Sequence, residues 1–318
     1  MVENLDSILF FTSIPIYVLG FGGNVLVIRI VHKTPSMHTT TNYLLLNLAV
    51  ADVITMLLWP LFSTYISGYF SNGVGNFICK FTAFTEMSIM ASSFTLTVLA
   101  VERYHALLKP LRRKLRLTED NIKQAITLIW LSSFLVCLPV FFLREWKEPL
   151  STCVGPWTIH MNTESGVYFF INSLFNTYFP LAVMIYCYGS LIRGLYFTNA
   201  ICSDSVANGE SNTSEKKKLV ITFILATAGF FVCFAPAVFF FTVLVLKPAE
   251  EADSKLNFDL SVLLAFLFLF SLCFNPVLYA FRSSNFQAGF KRIIFSPRCT
   301  PQNNDVELEW FYPWTDVT

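Results

Sequence analysis

Charge is scarce in this chain. Asp, Glu, Lys and Arg make up 14% of its 318 residues, and 22 bases against 21 acids leave a formal net charge of +1. That balance gives no pointer to nucleic acid, and no nucleic-acid partner is expected. Histidine is scarcer still: His32, His38, His105 and His160 are scattered, with neither an HExxH pattern nor a serine-nucleophile motif, so hydrolase chemistry is disfavoured and no enzyme is expected. Internal repeats of solenoid type are absent, as are the paired broken helices of repeat-built transporters. The one low-complexity stretch, Cys202 to Ser214, is polar and reads as a solvated loop. The segment before the first apolar run carries Glu3 and Asp6 and lacks the basic start and small-residue cleavage site of a signal peptide, so the first helix is expected to act as its own signal anchor.

Long apolar runs are what the chain has instead. It is 54% hydrophobic, and its apolar residues gather near 8–31, 42–66, 78–104, 124–143, 167–195, 218–246 and 258–281. Each run reaches the roughly 20 residues that a helix needs to cross a bilayer. Loops on one side hold most of the base, including Arg29, Lys33, Lys109, Arg112, Arg113, Lys114, Arg116, Lys216, Lys217, Lys218, Lys291 and Arg292, which marks that side as cytoplasmic. The other side is mildly acidic, with Glu145, Glu148, Glu164, Glu250 and Glu251 among its charges. The amino terminus is therefore expected outside and the carboxy terminus inside, in a multi-pass plasma-membrane protein.

Orientation sorts the cysteines. Cys79 at the start of the third span and Cys153 in the loop before the fifth share the oxidising compartment, where a bond between them is expected to persist. Cys137, Cys187, Cys233 and Cys273 lie within spans as small apolar groups. Cys299 follows the basic Lys291-Arg292 segment and is a candidate for palmitoylation or a plain free thiol. The sequon at Asn212 falls in a cytoplasmic loop, where glycosylation is not expected.

Three constellations stand out against the apolar background. Glu102-Arg103-Tyr104 ends the third span, Asp52 is a lone acid inside the second, and Asn275-Pro276-Val277-Leu278-Tyr279 lies near the end of the seventh. Ionisable groups at membrane depth call for a functional reading with a named partner, and Glu102 is the nearest partner for Arg103. At about 100° per residue, Thr85 and Ser92 fall on the Arg103 line of the third helix, while Glu86 turns away towards a neighbouring helix or the cavity edge. Glu86 is read equally as a ligand contact or as a local pair with Lys80 or a loop group. Pro60, Pro139, Pro180, Pro236 and Pro276 each interrupt a span, freeing carbonyls that neighbouring groups must satisfy.

Together these motifs resemble the rhodopsin-like (class A) G-protein-coupled receptors, of the neuropeptide-receptor type, over about residues 8 to 295. The resemblance implies an all-α fold: a seven-transmembrane helix bundle with a short interfacial eighth helix, whose pattern is visible in Phe286, Phe290, Ile293 and Ile294 alternating with Lys291 and Arg292. Residues 1–295 form the receptor domain and 296–318 a short cytoplasmic tail. The expected activation switch comprises Glu102, Arg103, Tyr104, Tyr188, Phe230, Phe234, Pro236, Asn275, Pro276 and Tyr279. The Cys79–Cys153 pairing matches the family's bridge from the third helix to the second outer loop. Asp52 with Asn24, Ser92, Ser271 and Asn275 is an oxygen-rich set suited to an allosteric sodium ion, and no other cofactor is expected. Expected partners are an extracellular peptide or small-molecule ligand, a heterotrimeric G protein, arrestin and membrane lipid.

Several residues depart from the family's pattern. Phe234 stands where tryptophan is usual, Ser93 where a bulkier aliphatic is common, which should loosen the relay, and Leu272 where a hydroxyl often helps sodium. The acid that often locks the arginine from helix six is replaced by the basic Lys216-Lys217-Lys218, leaving Glu215 as a substitute or Glu102 alone, and the latter predicts ligand-free signalling. The Cys79-to-Arg103 spacing is one residue short. Ligand contacts are expected at Thr85, Glu86, Ile89, Asn172, Asn176, Phe234 and Phe241. With no aspartate near Thr85 and no lysine across Ala265 to Leu269, amine and retinal ligands are disfavoured. A small cationic or amidated peptide fits the acidic outer face, Glu86 and the two asparagines. A lipid or other small molecule fits the apolar Val238 to Val243, and an ion-coupled transporter using Asp52 and Glu86 is the reading from another class.

Overall fold

The computed structural model describes residues 2–62, 72–108, 117–147, 152–154, 163–196, 210–245 and 255–295. Among them, seven helical stretches are long and apolar enough to cross a membrane. Helix is the form these runs take because hydrocarbon offers no partner for a backbone N–H or C=O, so each must bond within its own segment. The first two spans are α1 (Val2–Lys33) and α2 (Thr40–Phe62), and the third is split into α3 (Asn72–Phe81) and α4 (Ala83–Leu108). The fourth is α5 (Glu119–Leu143), followed by a hairpin of β1 (Glu145–Lys147) and β2 (Thr152–Val154). The fifth comprises α6 (Thr163–Ser173), a π-helical turn (Leu174–Tyr178) and α7 (Phe179–Tyr196). α8 (Glu210–Val245), α9 (Lys255–Arg282) and the short α10 (Ser284–Phe295) complete the chain, α10 being the expected eighth helix. Several helices outrun the apolar stretches that predict them, because polar end residues continue the hydrogen-bond ladder beyond hydrocarbon depth.

The third span is the axis of the bundle. Two-thirds of it (67%) is buried, against 28% for the first span and 22% for the fourth, which places those two at the rim. Outward-facing apolar side chains such as Phe142, Val232 and Phe239 are exposed and suit lipid contact.

The short Cys79-to-Arg103 spacing has a local cause. The α-helix is interrupted at Thr82, where the Thr85 amide donates to the Thr82 carbonyl at 3.0 Å and the Thr82 hydroxyl donates to the Cys79 carbonyl at 2.6 Å. A three-residue turn rises further per residue than an α-turn, so fewer residues cover the same depth. Above it the hairpin sets Trp146 opposite Cys153, and Cys153 is bonded to Cys79 as expected, with Cα atoms 5.5 Å apart. Trp146 lies flat on α3 because Gly75 has no side chain; a Cβ there would sit 2.5 Å from the indole.

Two prolines show how the spans are tied to one another. Pro180 has no N–H for the Asn176 carbonyl four residues back, and the Ser93 hydroxyl of α4 donates to that carbonyl at 2.6 Å. Ser93 thus joins the third and fifth spans by a hydrogen bond where a larger aliphatic would join them by bulk. Pro276 likewise frees the Leu272 carbonyl, which accepts from Asn24 Nδ2 at 2.9 Å. The sixth and seventh spans meet closely at Gly229, where a Cβ would lie 2.3 Å from the Phe274 ring. At the inner end, Phe286 of α10 is buried and stacks on Tyr279, ring centres 5.4 Å apart.

Replacing Gly229 with leucine should therefore force α8 and α9 apart, at about 1 to 3 kcal/mol for overpacking. A clear fall in the melting temperature of the purified protein is expected; an unchanged melting curve would refute this packing.

Candidate functional site

The inner end is organised by Arg103. Its Nε donates to Glu102 Oε2 at 2.5 Å, and a terminal nitrogen donates to the Thr41 hydroxyl of α2. Its guanidinium carbon lies 5.5 Å from the centre of the Phe223 ring on α8. Glu102 and Phe223 are both buried. Tyr104 is buried beside Tyr186, ring centres 5.8 Å apart. The Tyr188 hydroxyl meets Thr227 Oγ1 of α8 at 3.1 Å, while the Tyr279 hydroxyl is buried without a hydrogen-bond partner. Arg282, at the end of α9, donates from Nε to the Thr222 hydroxyl at 3.2 Å. The side chains of Glu215 and Lys216 to Lys218 lie outside the described residues, as does Cys299.

Halfway up the bundle Asp52 is fully enclosed. Ser92 Oγ donates to its Oδ1 at 2.9 Å and Asn275 Nδ2 to its Oδ2 at 3.3 Å. The other two oxygen-bearing side chains of the expected ion set donate hydrogen bonds to backbone carbonyls. Asn24 Nδ2 serves the Gly20 and Leu272 carbonyls, and Ser271 Oγ donates to the Phe268 carbonyl at 2.6 Å. The proline at 276 accounts for the first, since the carbonyl it frees accepts from Asn24. Asn275 Oδ1 remains a buried acceptor without a partner, so Asp52, Ser92 and Asn275 together still present oxygens suited to a hard cation. Among the described residues no group of three or more His, Cys, Asp or Glu gathers for a metal.

An aromatic file runs beside this centre. Phe230 stacks on Phe234 with ring centres 5.3 Å apart, Phe234 meets Phe268 at 5.6 Å, and Phe268 meets Trp59 at 5.1 Å. Phe234 therefore reaches the second span through the seventh. Trp130 is anchored rather than free in lipid, its Nε1 donating to Asn47 Oδ1 at 2.8 Å while Asn47 Nδ2 donates to Thr95 at 2.8 Å.

At the outer end Glu86 turns to the fourth span, as its helical angle requires, but its partner is Arg144 rather than Lys80. The two are 2.9 Å apart and both buried, and Arg144 also donates to the Thr82 hydroxyl. Lys80 lies on α3 above the break at Thr82, whereas Arg144 follows the end of α5 and reaches inward. Asn172 Nδ2 donates to the Tyr168 hydroxyl at 2.8 Å, which itself donates to the Val136 carbonyl at 3.0 Å. Thr85 Oγ1, Asn172 Oδ1, Ser173 Oγ, Asn176 Oδ1 and Thr177 Oγ1 are buried without partners. Ile89 is buried between these levels, and Phe241 is half-buried against Phe240, ring centres 5.4 Å apart.

Sequence reading did not select Thr41, Phe223, Thr222, Thr227, Trp59, Phe268, Asn47 or Arg144's inward role. Each acts through a contact between elements distant in sequence, for which periodicity within one helix carries no signal.

Because removing one member of a buried ion pair strands the other, Arg144→Ala should destabilise the protein by about 3 to 5 kcal/mol. The double variant Glu86→Gln/Arg144→Met should recover much of that loss in thermal unfolding. Equal stability of wild type and Arg144→Ala would contradict the pairing.

Residues 23–279 match the sequence profile of the 7 transmembrane receptor (rhodopsin family). The chain is similar to somatostatin receptor type 5 of Bos taurus, 29% identical over 282 residues that cover 87% of this chain and 73% of that one. It is also similar to the QRFP-like peptide receptor of Branchiostoma floridae, 28% identical over 88% of this chain and 75% of the other. Squid rhodopsin shares the fold, with a TM-score of 0.75 at 17% identity over 94% of this chain and 89% of that one. Helices, motifs and matched span agree, and the chain belongs to the rhodopsin family of seven-transmembrane receptors.

Proposed function

We propose that this receptor recognises a small extracellular peptide with an amidated end and converts its binding into activation of a heterotrimeric G protein by outward movement of α8. The carrying observation is that one helix, α4, bears both ends of the device: unpartnered buried Thr85 above and the enclosed Glu102–Arg103 pair below.

The ligand class follows from hydrogen-bond accounting. Asn172 and Asn176 each leave a carbonyl oxygen unmet, and Thr85, Ser173 and Thr177 add hydroxyls. An unmet buried acceptor costs about 1 to 3 kcal/mol, which a ligand N–H recovers. Glu86 is already compensated by Arg144, so the site calls for donors more than for positive charge. A carboxamide supplies two N–H groups without charge. Similarity to proteins named as somatostatin and QRFP-like peptide receptors supports a peptide. A lipid reading loses part of its basis, since Phe239 and Val243 of the apolar outer α8 are exposed on its surface. The compensation of Glu86 likewise removes one of the two ion sites on which a transporter reading rests.

A ligand shifts the bundle only so far as it binds its two packings differently. Pressure on the Phe234–Phe268–Trp59 file would rotate α8 about Pro236. Tyr188 would then lose Thr227, Arg103 would leave its resting contacts, and the unpartnered Tyr279 hydroxyl would gain a partner. The opened mouth, framed by the basic inner loops, takes the G protein and afterwards arrestin, while α10 lies against inner-leaflet lipid. A sodium ion held by Asp52, Ser92 and Asn275 would supply a counter-charge to the buried carboxylate. The amino terminus is outside the plasma membrane and the carboxy terminus in the cytosol, following the base-rich loops.

Reporter cells expressing the receptor, exposed to peptide, amine and lipid collections, test this directly. An amidated peptide should evoke a G-protein response that Arg103→Ala abolishes while binding persists, and Asn172→Leu/Asn176→Leu should weaken its potency about tenfold or more. Responses confined to lipids, or solute flux without a G-protein response, would overturn the proposal.

A further inference from the structure

We propose that Thr222 and Phe223, adjacent on α8, form a two-point latch that keeps the inner mouth shut by holding two arginines, Arg103 of α4 through the ring face and Arg282 of α9 through the hydroxyl. The latch regulates the site described above and rests on that reading of the receptor.

The need for it is visible in the inner end of the sixth span. The residues there read Glu215-Lys216-Lys217-Lys218, so base stands where the family often has a locking acid, and these side chains lie outside the described residues. The Glu102–Arg103 pair cannot restrain α8, because both residues sit on α4 and move with it. The Thr41 bond joins Arg103 to α2, on the other side. Among the described residues, the contact that joins Arg103 to α8 is the Phe223 ring, 5.5 Å from the guanidinium carbon.

The chemistry suits the role. An aromatic face carries the negative lobe of the ring quadrupole, and a guanidinium is planar and weakly hydrated, so the two stack at little desolvation cost. The contact strengthens as water is excluded, and here Phe223 is buried while only 17% of the Arg103 side chain is exposed. One residue earlier, the buried Thr222 hydroxyl accepts from Arg282 Nε at 3.2 Å. Successive helix positions point about 100° apart, so residues 222 and 223 engage α9 and α4 from one turn of α8. Swinging that turn outward breaks both contacts together, whereas the bonds of Arg103 to Glu102 and Thr41 survive the first step.

A fluorine series tests the ring without altering its shape. Phe223 would be replaced with mono-, di- and trifluorophenylalanine, and the open fraction read from a fluorophore on the inner end of α8 in purified, ligand-free receptor. The open-to-closed ratio should climb with each fluorine, by about two- to thirtyfold over the full loss of the ring contact. Thr222→Val should raise it further, and Phe223→Trp should keep the mouth closed. A flat response across the fluorine series, or a Phe223→Trp receptor as open as the trifluoro form, would overturn the latch. The readout needs no transducer. A receptor whose mouth follows the series yet activates no G protein would sink the functional reading alone, and one that signals while ignoring the series would sink the latch alone.

Discussion

Arg103 brings a full positive charge to the inner mouth of an apolar bundle, and its surroundings are arranged around that fact. Glu102 neutralises it from the same helix, Thr41 receives one of its donors from the second span, and Phe223 covers it from the sixth. A charge in such a place is stable only while its partners stay, so its position is coupled to the positions of three helices. The same constraint recurs higher up. Asp52 is enclosed with Ser92 and Asn275, which joins the second, third and seventh spans, and Glu86 pairs with Arg144, which joins the third span to the end of the fourth.

The backbone obeys a parallel rule. Hydrocarbon cannot hydrate the carbonyls released by Pro180 and Pro276, and side chains of other spans take them, Ser93 in one case and Asn24 in the other. A bend in one helix is thereby recorded in its neighbour. The unmet hydroxyl of Tyr279 and the unmet oxygens around Asn172 and Asn176 mark where the packing leaves buried polar groups unpaired.

Much of this architecture is legible in the sequence because it is written locally. Seven apolar runs required seven helices, the alternation of Phe286, Phe290 and Ile293 with bases foretold α10, and the placement of base sorted Cys79 and Cys153 into one compartment where they are indeed joined. Even the missing residue between Cys79 and Arg103 was countable, although only the turn at Thr82 explains it. What stayed hidden depends on which helices meet. Helical angle turned Glu86 away from the Arg103 line but left Arg144 unnamed, since the arginine follows another helix. Asn24 shares the depth of Asp52, but that its amide nitrogen serves a carbonyl freed by Pro276 depends on a helix distant in sequence. Phe223 was one of 34 phenylalanines, with nothing in its own neighbourhood to set it apart.

We propose that the Arg103 guanidinium is tethered at rest and released when the receptor couples. Pulsed electron-spin distances between labels at the cytosolic ends of the third and sixth spans measure this most directly. A short separation in the quiescent receptor and a longer one in complex with nucleotide-free G protein are predicted; the same distance in both states would contradict the account.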